Sequence, residues 1–329
     1  MLKYILKRLV YIVFVLFLVS VFIFILFRSM PIDPVDIFLP PDVAAGMTPE
    51  QRALVIEEII ATMGLDRPHH IQYLYWIRGI MQGNFGISME TRQPVLDHIR
   101  TPMTNTVIIN ILNMIIIFAI TIPVGVYSAI KRGKTFDSTA LVTSMVGLSI
   151  PGFLFALLLI VLFAVLIPIF PMFGMQSLMG PDRGTLAWFG DRLYHMALPL
   201  MAMVLMGLAG MIRFVRSAMI DSLNMDCVRT ARAKGLNEKV VIYSHAFRNA
   251  LIPIITVMTG FFISIFGGSM VIEMTFAWRG MGLIMITALN NQDMAVLMAV
   301  NVFFALIAFL GLLLMDIAYS IVDPRIRFE

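Results

Sequence analysis

Six apolar runs constrain this chain more than any other feature. The first fills positions 9–27 and is interrupted only by the small Ser20. A helix of that length crosses a hydrocarbon core of about 30 Å. Five more runs follow, at 103–129, 138–167, 195–214, 250–272 and 294–320. In lipid every backbone N–H and C=O must be satisfied within the chain, so runs of this length are expected to be helices. With 60% hydrophobic and 13% charged residues among 329, the apolar surface exceeds what a soluble core would need. The expected fold class is therefore an all-α polytopic membrane protein.

Charge placement orients the runs. Lys3, Lys7 and Arg8 precede the first. That pattern also opens a signal peptide, but the run is too long for one. It is followed by Arg28-Ser29-Met30-Pro31 rather than by a small-residue cleavage site. An uncleaved first span with a cytoplasmic N-terminus is expected. Lys131, Arg132 and Lys134 fill the second loop. Arg213, Arg216, Arg229, Arg232, Lys234, Lys239 and Arg248 fall in or beside the fourth, and Arg325 and Arg327 lie at the C-terminus. More than half of the 24 Lys and Arg thus share one face. The other face has no Lys and carries acids such as Asp33, Asp36, Asp42, Glu50, Glu57, Glu58, Asp66, Glu90, Asp97, Asp182 and Asp191. The positive-inside rule then gives six spans with both termini cytoplasmic. The net charge of +4 follows from sidedness and does not call for nucleic acid.

The polar region at 29–102 reads as a small helical cap after the first span. Thr48-Pro49-Glu50-Gln51 is a capping box with proline at the first helical position. It opens a helix that buries Val55, Ile56, Ile59 and Ile60 and ends near Met63, with Gly64 as its stop. A second helix is expected over 71–81, carrying Tyr73, Trp76 and Ile77. His69-His70 does not make a metal site, because adjacent helical residues point about 100° apart.

The most basic stretch, Asp226-Cys227-Val228-Arg229-Thr230-Ala231-Arg232-Ala233-Lys234-Gly235-Leu236-Asn237, lies between the fourth and fifth runs. Charges at bilayer depth cost several kcal/mol each, so it must protrude. It reads as two short helices joined by a break at Gly235, with Asn237 capping the second and Glu238 in its first turn. Two uses fit this pattern: a solvated loop that only fixes orientation, or a docking knob that carries force from a soluble partner. Cys227, the only cysteine, reads as a small filler and excludes an intramolecular disulfide.

Other chemistry is missing. No Gly-x-x-x-x-Gly-Lys-Ser/Thr phosphate loop occurs, and no His/Cys/carboxylate set has metal spacing. His195 sits at a span boundary and reads as a structural or interfacial residue rather than a proton relay. Glu273 and Asp316 are the acids nearest membrane depth, and both fall near span ends, where solvated or paired roles are expected. A self-sufficient secondary transporter or channel would call for deeper charges and internal repeats. A membrane enzyme would need a nucleophile–base pair or a metal set. Pro123, Gly125, Pro151, Gly152, Pro199, Gly207, Gly210, Gly260, Gly267 and Gly268 within the runs read as ordinary close packing and bending.

Several motifs in order resemble one family. Arg229-Thr230-Ala231-Arg232-Ala233-Lys234-Gly235-Leu236, with His245-Ala246-x-Arg248-Asn249-Ala250-Leu251-Ile252-Pro253, is similar to the cytoplasmic signature of peptide permeases. Arg229 stands in the Glu slot of the general signature and Arg248 in its Pro slot. Pro31-Ile32-Asp33-Pro34, Gly64-Leu65-Asp66-x-Pro68, Gln72-Tyr73, Gly83-Asn84-Phe85-Gly86-x-Ser88 and Pro94-Val95 resemble the same family's external cap. Phe276-Ala277-Trp278-Arg279-Gly280-Met281-Gly282 resembles its last external loop, with Arg279 where Pro is usual. Asp316-x-x-Tyr319-x-x-x-Asp323-Pro324-Arg325-Ile326-Arg327 resembles its C-terminus. The chain thus resembles the B-type permease subunit of ABC importers for dipeptides and oligopeptides.

That resemblance implies the type I importer fold. It divides the chain into a first span at 1–28, an external cap at 29–102 and a permease core at 103–329 with a coupling region at 215–249. It implies that Arg229, Thr230, Ala231, Arg232, Ala233, Lys234, Gly235 and Leu236 form the coupling helix and its cap. The implied partners are a paralogous second permease, two cytoplasmic ATPase subunits that bind ATP and Mg, an extracellular or periplasmic solute-binding protein, and membrane lipid. No cofactor belongs to this chain, no catalytic residue is expected, and the implied location is the bacterial cytoplasmic membrane. The same family also includes nickel-chelate and glutathione importers.

Overall fold

The computed structural model describes residues 2–29, 39, 41–64 and 66–322, with backbone alone at 2–6, 41, 42, 62, 63 and 315–322. The motif at 31–34, Leu65, Asp36 and the tail at 323–327 lie outside the described residues. So do the side chains of Lys3, Asp42, Asp316 and Tyr319. Among the described residues the secondary structure is helical apart from one isolated β-bridge between Ile87 and Pro94. It comprises α1 (Leu2–Arg28), a single turn at Pro41–Ala44, α2 (Pro49–Met63), α3 (His69–Met81), α4 (Val95–Ile130), α5 (Thr135–Ser149) and α6 (Gly152–Leu166). After these come α7 (Leu186–Leu223), α8 (Asp226–Ala233), α9 (Glu238–Gly267), α10 (Met270–Thr275), α11 (Met281–Asn290) and α12 (Met294–Val322).

Among the described residues five helices are long and apolar enough to cross a membrane: α1 from Lys7, α4, α7, α9, and α12 as far as Leu314. The sixth apolar run is not one rod. α5 and α6 meet at a bend of 98°. Ile150 is extended (φ −91°, ψ 122°) and Pro151 follows it, because the proline ring disfavours helical backbone in the residue before it. Counted as one broken span, the pair makes six. Pro199 and Pro253 stay inside α7 and α9. Only 17% of the first span and 39% of α7 are buried within the chain, so most of the apolar surface is left for lipid or other chains.

The expected run at 250–272 also breaks. Gly268 takes a left-handed φ of 64°, which ends α9 and starts the short α10. The expected last loop at 276–282 is a tight turn leading into α11, a helix absent from the sequence reading because its ten residues are too few for a span.

The chain forms two compact units, Leu2–Pro102 with Ile284–Phe309, and Met103–Leu283 with the chain from Leu310 onward. In the first unit α2 begins as its capping box dictates. Thr48 Oγ1 accepts from Gln51 N at 3.3 Å, and Gln51 Oε1 accepts from Thr48 N at 3.1 Å. Gly64 closes the helix in left-handed conformation, φ 64°. Val55, Ile56, Ile59 and Ile60 are half-buried while Leu54 is exposed, the face that helical spacing assigns. α3 packs on α1 through Tyr73, whose hydroxyl lies 2.8 Å from Ser20 Oγ. The rings of Phe17 and Phe24 stand edge-on to Tyr73 at 6.2 and 5.6 Å. Asp293, 1% exposed, caps α12 through Val296 N and also accepts from Ser88 Oγ at 2.6 Å and Met89 N at 2.8 Å. The loop at 86–95 is thereby anchored to the start of the last span.

In the second unit glycine lets α4 and α7 approach closely. A methyl added at Gly125 would lie 2.7 Å from Val215 Cβ, and one at Gly207 would lie 2.3 Å from Ile117 Cδ1. Between these points Ile117, Phe118, Val126 and Ala129 of α4 share one core with Val204, Met211, Val215, Ala218 and Met219 of α7. That core extends into α8 and α9.

Candidate functional site

The basic stretch forms a compact knob on the second unit. α7 ends at Leu223. Asn224 N and Met225 N turn back onto Asp221 O and Ser222 O at 3.2 Å each, and α8 starts at once. Its length is two turns, with Asp226 at the N-terminus and Arg232 in the last turn, both favourable to the helix dipole. Val228 (0% exposed) and Ala231 (4%) face inward. They join Val215, Ala218 and Met219 of α7 and Val241, Ile242 and Ala246 of α9 in a single core. The three-residue spacing puts both on one stripe of the helix. Arg229, Thr230, Arg232, Ala233, Lys234, Gly235 and Leu236 are exposed, so of the eight expected site residues only Ala231 points into the fold.

The far end of the knob is closed by backbone hydrogen bonds. Gly235 has φ 75°. Its N–H donates to Arg232 O at 2.9 Å, and Leu236 N donates to Ala231 O at 3.4 Å, the paired bonds of a Schellman cap. Asn237 Oδ1 then accepts from Lys239 N at 3.0 Å. Arg232 Nη2 spans the turn to Glu238 Oε1 at 2.7 Å. That pair is 44% and 57% exposed and contributes about 0–1 kcal/mol, so the turn is held by its backbone. The second helix of the expected pair is not short. It is the first turn of α9, which continues to Gly267 through a π-helical turn at Val241–Ala246. This wide turn buries Val241, Ile242 and Ala246 and leaves Tyr243 59% exposed. Cys227 is exposed on the knob. Asn249 of α9 bonds His245 O and reaches the Cys227 sulfur at 3.4 Å.

A buried ion pair stands near the same core and was not evident in the sequence. Asp137, 2% exposed, accepts from Arg216 Nε, from Arg216 Nη2 at 2.8 Å, from Ser128 Oγ at 2.6 Å and from Gly133 N at 2.8 Å. It ties the ends of α4 and α5 to α7. The Lys131–Lys134 turn therefore lies close to the level of Arg216. The only sequence signal was an acid three residues after a basic loop, which reads equally as a solvated first-turn residue.

A second polar centre lies around α10. Glu273, expected to be solvated or paired, is 3% exposed. It has no basic partner among the described salt bridges. Thr106 Oγ1 of α4 donates to it at 3.0 Å and Leu283 N at 2.9 Å. Burial pushes its carboxyl above the usual carboxylate range, against the pull of these donors. Three glycines make room for it. A methyl at Gly268 would lie 2.7 Å from Glu273 Oε1, one at Gly280 2.5 Å from Glu273 Cδ, and one at Gly282 3.0 Å from Glu273 Oε2. Neighbouring α4 residues extend the polar column. Asn105 Nδ2 donates to Arg279 O at 2.8 Å, and Asn110 Nδ2 to Ile265 O at 2.9 Å. Arg279 adopts the turn with its side chain exposed and its N–H on Met175 Sδ. His195 is buried inside α7 with Nδ1 2.9 Å from Asp191 O.

Sequence comparisons agree with this architecture along the whole chain. Residues 121–328 match the family model described as binding-protein-dependent transport system inner membrane component, and residues 1–110 match its N-terminal companion. The oligopeptide transport system permease protein AppB of Bacillus subtilis is 35% identical over 329 residues, covering 100% of both chains. The dipeptide transport system permease protein DppB of Escherichia coli K12 is 36% identical over 345 residues, again with full coverage of both. The glutathione transport system permease protein GsiC of Escherichia coli K12 is 33% identical over 329 residues, also with full coverage. Among solved structures, the MetNI methionine ABC transporter in an inward-facing form superposes with a TM-score of 0.52 at 16% identity, covering 68% of this chain and 96% of that one. At that identity the superposition shows shared fold alone. The chain belongs to the binding-protein-dependent transport system inner membrane component family and is a permease subunit of an ABC importer.

Proposed function

We propose that the chain forms one half of a peptide pathway across a bacterial cytoplasmic membrane, worked from the cytoplasmic side by separate ATPases. α8 with its Gly235 cap is the coupling element, and both chain termini share its side. The observation that carries this reading is the seating of the knob. Val228 and Ala231 lock α8 into the core that joins α4, α7 and α9, while Arg229, Thr230, Arg232, Lys234 and Leu236 face outward. A solvated loop that only fixes orientation would not need two buried contacts and a closed cap.

In this mechanism ATP binding, with Mg, draws the two ATPases together. Each pulls the α8 seated in it, and the core passes that displacement to the spans. A second, paralogous permease completes the pathway. A solute-binding protein delivers the cargo outside, where the segment at 29–102 forms the cap. The basic face of α8 meets acidic groups on the ATPase. Exposed Leu236, Val240 and Tyr243, at 42%, 42% and 59%, supply the apolar contact that exposed ion pairs cannot. Similarity to AppB and DppB supports peptides as cargo. Similarity to GsiC supports glutathione as the second reading.

Cys227 provides a test without mutagenesis, being the only cysteine and exposed on the knob. A membrane-impermeant maleimide should label it in inside-out vesicles and leave it untouched in right-side-out ones. Labelling from outside overturns the orientation. Purification of the chain from its own membrane, read by mass spectrometry, should recover a second permease, ATPases and a peptide-loaded binding protein. Recovery of the chain without any ATPase overturns the coupling role.

A further inference from the structure

Arg192 and Arg183 stand together beside the Glu273 centre, with the Arg279 backbone joined to Arg192 through Asn105, and among the described residues none of the three has an ion-pair partner. Arg192, in the second turn of α7, is half-buried. Its Nη2 donates to Asn105 Oδ1 at 3.0 Å, and its guanidinium lies 5.0 Å over the ring of Trp188. Asn105, 5% exposed, is fixed in turn by its bond to Arg279 O. Arg279 is thus attached to the same asparagine through its backbone, with its side chain exposed. Arg183 is close enough for its charge to repel that of Arg192. Among the described residues no salt bridge reaches Arg183, Arg192 or Arg279.

Asp182, beside Arg183 in sequence, is exposed and makes no ion pair among the described residues; the other two nearby carboxylates are committed elsewhere. Asp191, next to Arg192 in sequence, accepts from Ser177 N at 2.8 Å and from Ser177 Oγ at 2.6 Å, and it faces His195 at 3.5 Å. Both oxygens of Glu273 hold Thr106 and Leu283. Arg192 therefore presents a guanidinium held by an asparagine and an indole, with one of its five N–H groups engaged among the described residues; because Nη2 carries two N–H groups, one fork edge, Nη2 with Nε or Nη2 with Nη1, remains unengaged. That edge matches the two oxygens of one carboxylate. A half-buried cation beside a like charge, near a helix N-terminus, is unfavourable until an anion joins it.

We infer that Arg192, with Arg183 beside it and Arg279 joined to it through Asn105, is a carboxylate-binding site, and that it takes the C-terminal carboxylate of the peptide passing through the importer. Every unmodified peptide carries that group whatever its side chains, so a single fixed fork would serve cargo of any sequence. A half-buried guanidinium backed by Trp188 suits one small anion. Broad docking to an acidic protein surface would rest on the fully exposed arginines instead. The assignment rests on the reading of the chain as a peptide permease.

The test uses the complete importer with its ATPases, paired permease and binding protein in proteoliposomes, supplied with random di- and tripeptide mixtures as free acids or as C-terminal amides. Arg192→Gln should raise KM for free-acid uptake roughly ten-fold or more and leave amide uptake unchanged. Arg192→Lys, which keeps the charge without the fork, should fall between. Arg183→Gln and Arg279→Gln, whose side chains make no hydrogen bond or ion pair among the described residues, should each weaken free-acid uptake by a smaller factor that salt reduces. Stimulation of ATP hydrolysis by the unloaded binding protein should not change in any variant. Equal losses for acids and amides, unaltered uptake of both in all variants, or weakened docking of the unloaded binding protein each overturn the assignment. Failure of the wild-type importer to carry any peptide would instead overturn the underlying reading.

Discussion

Gly235 is the position where the stiffness of the knob can be separated from its shape. A methyl added there meets nothing within 4 Å, so Gly235→Ala creates no clash. The whole penalty comes from the backbone, which has φ 75°. A residue with a Cβ pays about 1–2 kcal/mol for left-handed conformation. That free energy corresponds to a factor of about 5–30 in the equilibrium between closed and open caps. The amides to watch are those the cap protects, Gly235 N on Arg232 O and Leu236 N on Ala231 O. Their hydrogen exchange should speed up by that factor in Gly235→Ala and by more in the β-branched Gly235→Val. Gly235→Asn should stay near wild type, since asparagine tolerates this conformation. In the assembled importer the same order should appear in peptide moved per ATP hydrolysed, with alanine and valine uncoupled and asparagine restored. If alanine and asparagine exchange alike, the cap is not limited by backbone torsion. If all three exchange as ranked but transport with equal efficiency, a stiff knob is not what coupling requires.

Four other substitutions probe the packing beneath the knob and around α10. Gly125→Leu should lower the thermal unfolding temperature in detergent, because its Cβ would lie 2.7 Å from Val215 Cβ and overpacking costs roughly 1–3 kcal/mol. Combining it with Val215→Ala should restore only part of the loss, since alanine removes Cγ1, which would also lie 2.7 Å away, but keeps the Cβ. Asp137→Asn leaves Arg216 without its carboxylate and should destabilise by about 3–5 kcal/mol, whereas the double change Asp137→Ala with Arg216→Leu should cost less than Arg216→Leu alone with Asp137 in place. Glu273→Gln replaces one acceptor oxygen by an N–H group facing Thr106 Oγ1 or Leu283 N. It should cost roughly 1–3 kcal/mol in thermal unfolding, and Gly280→Ala should have a similar effect by pushing on the same carboxylate.

Local chemistry was legible in the sequence where it is self-contained. The Thr48–Gln51 box, the stop at Gly64, the half-buried face of α2 and the left-handed Gly235 follow from spacing and residue type, and each stands in the fold. Span count was legible because hydrocarbon thickness sets a length. Bends were not. Pro151 breaks its run by 98° while Pro199 and Pro253 sit within continuous helices, and the neighbours that decide this are remote in sequence. The buried acids were missed for the same reason. Asp137 and Arg216 are 79 positions apart, Ser88 and Asp293 205 apart. Glu273 looked like a boundary residue until Thr106, from a helix 167 positions earlier, was brought against it. The arginine group shares this property, since Asn105 joins Arg192 to Arg279 only through tertiary structure.

The connections of α8 decide whether it can act as a lever. It is joined to α7 by Asn224 and Met225, whose amides are both bonded within that turn, and to α9 by a cap in which Lys234, Gly235 and Leu236 all donate to α8 carbonyls. Neither junction contains an unbonded stretch that could lengthen under load. Between them Val228 and Ala231 touch both neighbouring helices through one core. A displacement of α8 therefore cannot be absorbed by loop extension. It must shear that core or move α7 and α9 with it, and a core at protein packing density resists shear. The close contact of Gly125 with Val215 places α4 in the same rigid set, and the Asp137–Arg216 pair adds α5. The π-helical turn at Val241–Ala246, where the regular bonding of α9 is interrupted, is the one place beside the knob where a rotation could be taken up without breaking the core.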